Sequence, residues 1–319
     1  DLAALPVADE SFDSLISLNV AVHFPNWRDA LKDWSRVVKS GGRLVFDVHS
    51  QDHMNAVAAQ RGCKPEDLLT PQQREDPNYF MLRLTAHEVA EAAEELGLTV
   101  VALIPYAAML GGGNVNYWLR DSHLWGYLGD RALSWMALDD RLFSFGSFIE
   151  QTIVSRLSTH ATGRFMIVLE KRRDSGITEA VLAYHAAMAR IFEGRASCEQ
   201  LRALIGTHVD DWAEELRAHL AYPASRTLLA MMLSSPAALA LRPLVEELAG
   251  TDYAAELFDA NARARIDEAA YEFVKTWHQQ MNDSQILQYN GVDLAPSLDY
   301  DLMRDVLSAE YFSREGVGR

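Results

Sequence analysis

The chain has 319 residues, 29 Lys+Arg against 45 Asp+Glu, a formal charge of −16, 49% hydrophobic and 23% charged residues. This is ordinary globular composition. It excludes a wholly disordered or fibrous chain and leaves length for two domains. A pI near 5.0 argues against a nucleic-acid-binding face or a polybasic membrane patch, since both need concentrated positive charge.

The chain begins with Asp1, not Met, and its first segment reads like the middle of a domain. Ser14 to Asn19 follows a turn-like Ala-Asp-Glu-Ser-Phe-Asp run and reads as a short buried strand. Trp27 to Lys39 is predicted as a helix with Ala30, Leu31, Trp34, Val37 and Val38 on one face, stopped at Ser40-Gly41-Gly42. Arg43 to His49 is the next strand. Thr85-Ala86-His87-Glu88 is a capping box, and Val89, Ala92, Ala93 and Leu96 give its helix an apolar face. Leu98 to Ile104 is a third strand and Arg164 to Glu170 a fourth. This alternation is the pattern of a parallel sheet with covering helices. The stretch from Ala107 to Thr162 is long and aromatic, which suggests a packed cap over a site.

From Asp174 on, every periodic stretch reads as helix. Ile177, Val181, Tyr184, Met188 and Ile191 form one stripe. Ser197 to Gln200 is another capping box, followed by Leu201, Leu204, Ile205, His208, Val209, Trp212, Leu216 and Leu220 at helical spacing. A domain boundary is expected between 173 and 174. Residues 1–173 carry 17 basic and 22 acidic side chains, while 174–319 carry 12 and 23. The expected layout is an α/β domain over 1–173, with a cap at 107–162, and an all-α domain over 174–319.

Two cysteines, Cys63 and Cys198, support neither a disulfide framework nor a CxxC metal site, so a reducing cytoplasm is the default location. No apolar run approaches the roughly 20 residues needed to span a bilayer. Asp47, His49, Asp52 and His53 are metal-ligand types, but two lie on a strand and two in the following loop, and no metal is expected. Gly111-Gly112-Gly113-Asn114 lacks the GxGxxG spacing of a phosphate cradle.

The first fifty residues carry an acid at Asp1, then Leu5-Pro6, Asp9, Phe12-Asp13, His23, and Arg36 to Gly42. This run resembles the later half of class I S-adenosylmethionine-dependent methyltransferases. There an acid and a Leu-Pro precede strand four, a histidine follows it, and an Arg-Val-x-Lys-x-Gly-Gly helix end leads into strand five. The resemblance continues more weakly through Thr85 to Ile104 and Arg164 to Lys171, which correspond to helix E with strand six and to an antiparallel strand seven. It implies the later half, strands four to seven, of a Rossmann-like methyltransferase sheet, followed by the all-α domain.

The resemblance implies S-adenosylmethionine as cofactor and a small-molecule or sugar-like acceptor. Asp1, Leu2, Leu18 and Asn19 would contact the cofactor. His23 and His49 are the candidate catalytic or acceptor-orienting residues. Tyr106, Asn114, Asn116, Tyr117 and Trp118 would line the acceptor pocket. The glycine loop after strand one and the ribose-binding acid of strand two are not in the sequence. About 80–100 preceding residues would complete such a domain, so the chain alone is expected to be inactive and strand four to be an exposed edge. A homo-oligomer and a protein partner both stay open. The alternative reading is a non-catalytic interaction module that uses the acidic helical region.

Overall fold

The computed structural model describes residues 2–69, 71–75, 80–107, 139–192, 198–206, 208–223, 225–226, 229, 245–250, 253, 288–289 and 292–293. The chain divides into two compact units. One is Asp1–Tyr117 with Phe148–Leu204, the other Trp118–Ser147 with Ile205–Arg319.

The first unit is a mixed sheet with helices. Strand β1 (Phe12–Ser17) is followed by helix α1 (Trp27–Val37), long strand β2 (Val38–Ser50), helix α2 (Gln51–Arg61), short helix α3 (Pro71–Glu75) and two-residue strand β3 (Arg83–Leu84). Helix α4 (Ala86–Glu95) and strand β4 (Thr99–Tyr106) come next. Helix α5 (Asp140–Phe148) belongs, except for Phe148, to the second unit; strand β5 (Arg164–Glu170) and helix α6 (Ser175–Phe192) complete the first. The sheet order is β1-β2-β5-β4, with β3 also on β2. β1 and β3 run parallel to β2, whereas β5 is antiparallel to both β2 and β4. The alternation alone suggests a parallel sheet; the sheet is mixed, and its antiparallel member β5 is the Arg164–Glu170 strand that the resemblance gives as antiparallel. β5 follows a connection that returns it in the opposite direction.

Helix α1 buries Trp27, Ala30, Leu31, Trp34 and Val37. Trp34 packs edge-on against Phe46 of β2, with ring centroids 5.7 Å apart, a favoured aromatic geometry. The helix ends two residues earlier than expected, and β2 starts at once at Val38. Gly41, at φ +76°, turns the chain inside the strand. A Cβ on Gly42 would lie 2.6 Å from the Asp13 carbonyl, so only glycine lets β1 and β2 approach here. The Arg36 guanidinium binds the Leu5 and Val7 carbonyls and the Asp9 carboxylate, while Asp33 accepts from the Leu5 N–H. These bonds give motif residues Asp9 and Arg36 a structural purpose: they clamp the segment that leads into β1.

Helix α4 starts at the expected capping box. Thr85 Oγ1 accepts from the Glu88 N–H, and Glu88 accepts from the Thr85 N–H. β5 has the expected bounds and buries Phe165, Ile167 and Leu169. Val181 and Leu182 of α6 pack against the same core. β1 differs: Phe12, Ile16 and Leu18 are 46%, 66% and 51% exposed, and among the described residues β1 pairs with β2 alone.

The continuous helical spacing expected from Leu201 to Leu220 is interrupted at Gly206, and the second unit takes up the chain again at Ile205. Helix α7 (Cys198–Ile205) stops at Gly206, whose φ of +67° ends it. Helix α8 (His208–Leu220) then buries Val209, Trp212, Ala213, Leu216 and Leu220. Within this unit Phe145 lies against His219, ring centroids 5.6 Å apart, and Arg141 stacks 3.7 Å from the centroid of the Tyr222 ring. A two-residue antiparallel pair, β6 (Gln288–Tyr289) with β7 (Val292–Asp293), lies in the region expected to be all-α.

Candidate functional site

Strand directions bring four chain segments to one edge of the sheet. β1, β2 and β4 all end there and β5 begins there, since β5 is antiparallel to both of its neighbours. Ligands of open α/β sheets gather outside the carboxyl ends of the strands. Across this edge His49 pairs with Arg164 and Tyr106 pairs with the same Arg164. Asp47 and His49 share a face of β2 because strand side chains alternate with period two.

Asp47 is the hub. Its carboxylate is 1% exposed and receives three donors. The Asn19 N–H reaches Oδ1 at 2.5 Å, the Tyr106 O–H reaches Oδ2 at 2.5 Å, and Arg164 Nη2 reaches Oδ2 at 3.0 Å. Arg164 Nη2 also donates to Asn19 Oδ1 at 2.6 Å, and its guanidinium stands 5.7 Å from the Tyr106 ring centroid. The two strand ends are alike. Asn19 after β1 and Ala107 after β4 both have left-handed φ, +56° and +67°. Each has its N–H held by a buried carboxylate, Asp47 for Asn19 and Glu150 for Ala107. Positive φ is uncommon outside glycine and persists where surrounding structure enforces it.

His49 is 3% exposed, and among the described residues its buried Nε2 has no hydrogen-bond partner, nor has Arg164 Nε. Burial, then the positive charges of Arg164, Arg83 and His23, push the His49 imidazole down to about 3. It is neutral near pH 7, a hydrogen-bonding group and a poor proton acceptor. Burial first, then the bond to Asp47, pushes the Tyr106 phenol up, so it stays a donor.

The sequence-derived candidates separate as follows. Asn19, His49 and Tyr106 meet at this edge, together with Asp47 and Arg164. Leu18 lies just beyond β1, which ends at Ser17, and is exposed. His23 closes a 3-10 turn over Ala21–His23, is exposed, and donates its main-chain N–H to the Val20 carbonyl. Leu2 is partly buried against the core, and its carbonyl accepts from Trp34 Nε1. Asp1, Asn114, Asn116, Tyr117 and Trp118 lie outside the described residues.

Asp47 and Arg164 were not candidates from sequence. Asp47 was visible only as an unused metal-ligand type. Arg164 is joined to Asn19 by a side-chain hydrogen bond across 145 positions, which leaves no local signal.

A second buried polar seam begins a few residues on. Ser50 Oγ caps α2 by accepting from the His53 N–H and donates to the Thr159 carbonyl. Asp52 accepts from the Ala86 N–H and from Thr159 Oγ1, and His185 Nδ1 accepts from the Thr159 N–H. His53 Nδ1 lies 2.7 Å from the His160 carbonyl oxygen. Among the described residues, no three His, Cys, Asp or Glu side chains form a group able to hold a metal. Among the same residues no helix is long and apolar enough to cross a membrane.

Residues 1–46 match the family model described as "Methyltransferase domain". A curated relative, 24-methylenesterol C-methyltransferase 2 of Oryza sativa subsp. japonica, is 29% identical over 122 residues. The match covers 36% of this chain and 32% of the relative; the chain thus spans about a third of that relative's length. Among solved structures, the [4+2]-cyclase SpnF is 14% identical, covering 55% of this chain and 54% of its own, with a TM-score of 0.28. The Haloferax volcanii complex of the Trm112 methyltransferase activator with its methyltransferase gives 16% identity, coverage of 54% and 60%, and a TM-score of 0.29. With the methyltransferase-domain match on residues 1–46 and the sterol methyltransferase relative, the chain's likeness is to the class I S-adenosylmethionine-dependent methyltransferases.

Proposed function

We propose that the protein transfers a methyl group from S-adenosylmethionine to a small-molecule acceptor at the edge where β1, β2 and β4 end. One observation carries the reading: Asn19, Asp47, His49, Tyr106 and Arg164 converge there, around strand ends that belong to or adjoin the matched segment. When bound, S-adenosylmethionine supplies a methyl group on a sulfonium. The residues present fit such a group: Leu18 offers exposed apolar surface and Asn19 a side chain held fixed by Arg164. Asp1 and Leu2 would extend the cofactor side.

The chain's own residues then orient the acceptor. Among the described residues His49 Nε2 and Arg164 Nε are buried nitrogens without partners, and an acceptor hydroxyl or carbonyl would satisfy them. Leaving such groups unpaired costs about 1–3 kcal/mol each. The neutral His49 holds the acceptor without bringing charge to the site. Tyr106 presents its ring, since its hydroxyl is committed to Asp47. Exposed His23 stands at the outer side as a positional contact. Asn114, Asn116, Tyr117 and Trp118 would complete the acceptor pocket. Alignment of acceptor and donor supplies the rate, because effective molarity can reach about 10⁵–10⁸ M in well-oriented reactions.

Calorimetric titration of the complete gene product with S-adenosylmethionine tests this reading. One-to-one binding supports it, and absence of binding by folded protein overturns it. Acceptors to assay are hydroxylated small molecules, sugars and, given the rice relative's name, sterols. A cytoplasmic location is part of the same proposal.

A further inference from the structure

Asp47 is placed for a task that none of the site candidates performs. Its two carboxylate oxygens serve three chain segments that no local sequence joins: the turn after β1, the end of β4 and the start of β5. Asn19 holds φ +56°, a left-handed region that asparagine enters more readily than most residues with a Cβ. Although the residue is exposed, both its main chain and its side chain are tied to the protein. The N–H is fixed by Asp47 and the Oδ1 by Arg164, and Arg164 is itself held by Asp47. β1 stops pairing with β2 at the Ser17–Phe46 partners, and β3 takes up the same side of β2 only at His49. Between these two pairings the Asn19 N–H bonds the Asp47 carboxylate in place of a β2 main-chain carbonyl.

We infer that Asp47 is the positioning residue of the site: it sets the Leu18–Asn19 turn on the cofactor side and ties that turn, through Arg164, to Tyr106 and His49 on the acceptor side. The inference rests on the proposed function for the words "cofactor" and "acceptor", but the mechanical tie stands on the bonds alone. Asp47 touches no reacting atom and acts through Asn19, Tyr106 and Arg164. A change on one side of the carboxylate is therefore felt on the other.

Asp47→Asn is the informative variant. Its amide must point a donor either at the Asn19 N–H or at the Tyr106 and Arg164 donors, so at least one bond breaks whichever way it lies. Arg164→Lys is the second variant. It keeps the charge but shortens the side chain and moves the donor away from the Nη2 position that bonds both Asp47 and Asn19. The first readout is amide hydrogen exchange in the full chain. Both variants should speed exchange of residues 18–20 while leaving α1 and the 165–169 stretch of β5 unchanged. A merely structural role would speed exchange throughout the sheet, or nowhere.

The second readout is the affinity of the complete gene product for S-adenosylhomocysteine. It should weaken by about two- to tenfold in both variants, the size of one hydrogen bond. Local exchange unchanged in both variants, or a uniform rise across the sheet, overturns the inference. So does unchanged affinity where the wild type binds. If the folded wild type binds neither S-adenosylmethionine nor S-adenosylhomocysteine, the functional reading fails, and the exchange data still decide the tie. Should Asp47→Asn fail to fold, Arg164→Lys carries both readouts.

Discussion

Two buried polar clusters grow from the end of the same strand, and they do different things. The Asp47 cluster joins strand ends. It contains a cation, holds a left-handed turn, and leaves His49 Nε2 and Arg164 Nε without partners among the described residues. The Asp52 seam joins connections. Its donors and acceptors are helix starts and the main chain around Thr159, and Ser50, Asp52 and Thr159 close on one another. The first arrangement spends stability on geometry and keeps hydrogen-bonding capacity in reserve, as a binding site must. The second converts most of its polar atoms into stitching, although His160 Nδ1 is buried there without a partner among the described residues. Burial alone does not separate them, since Asp47 and Thr159 are both almost wholly inaccessible. What separates them is what they join: strand ends in the first, helix starts and the main chain around Thr159 in the second.

The largest expected effect breaks both clusters at once. His49, His53 and His185 are held neutral, with burial pushing them to about 3, about 3 and about 4. Their folded values lie below the ordinary value near 6.5 in the unfolded chain, so the unfolded state takes up protons first. The stability from these neutral rings is complete above pH 6.5 and is lost as pH falls toward 4 and then 3. Each histidine costs on the order of 1 kcal/mol per pH unit over that window. Urea midpoints followed from pH 7.5 to 4.5 should fall steeply, and His185→Asn, which keeps an acceptor for the Thr159 N–H, should flatten the curve. An unchanged slope would remove His185 from the seam.

Asp47→Leu comes next. It strands the Arg164 guanidinium, only 15% exposed, without its carboxylate, and losing one partner of a buried pair costs about 3–5 kcal/mol. Thermal or urea unfolding checks this. Thr159→Val should cost about 1–3 kcal/mol by removing the donor to Asp52, with no effect on ligand affinity. Tyr106→Phe is the mildest. Asp47 keeps Arg164 and Asn19, so stability should drop by about 1 kcal/mol, visible as a small shift in the urea midpoint.

The sequence carried the local parts of this picture and missed the long-range ones. The Thr85–Glu88 capping box and the apolar face of α1 are properties of neighbouring residues, and both form as read. The common face of Asp47 and His49 follows from strand periodicity. The Asn19–Arg164 bond depends on the register of an antiparallel pairing, which no short window encodes. Thr159 was invisible for the same reason. Gly206 was visible, but the apolar stripe resumes in phase beyond it, so periodicity outweighed a residue that ends the helix. The Leu18–Asn19 strand end moved because β1 stops pairing at Ser17 and Asp47 bends the chain away.

The most direct test of the account compares the two clusters by ligand. S-adenosylmethionine is titrated into the complete gene product and its Asp47→Asn and Asp52→Asn variants, with melting temperatures measured in parallel. The account predicts binding by the wild type, affinity weakened about two- to tenfold in Asp47→Asn, and unchanged affinity with a lower melting temperature in Asp52→Asn. No binding by the folded wild type, or equal loss of affinity in both variants, would contradict it.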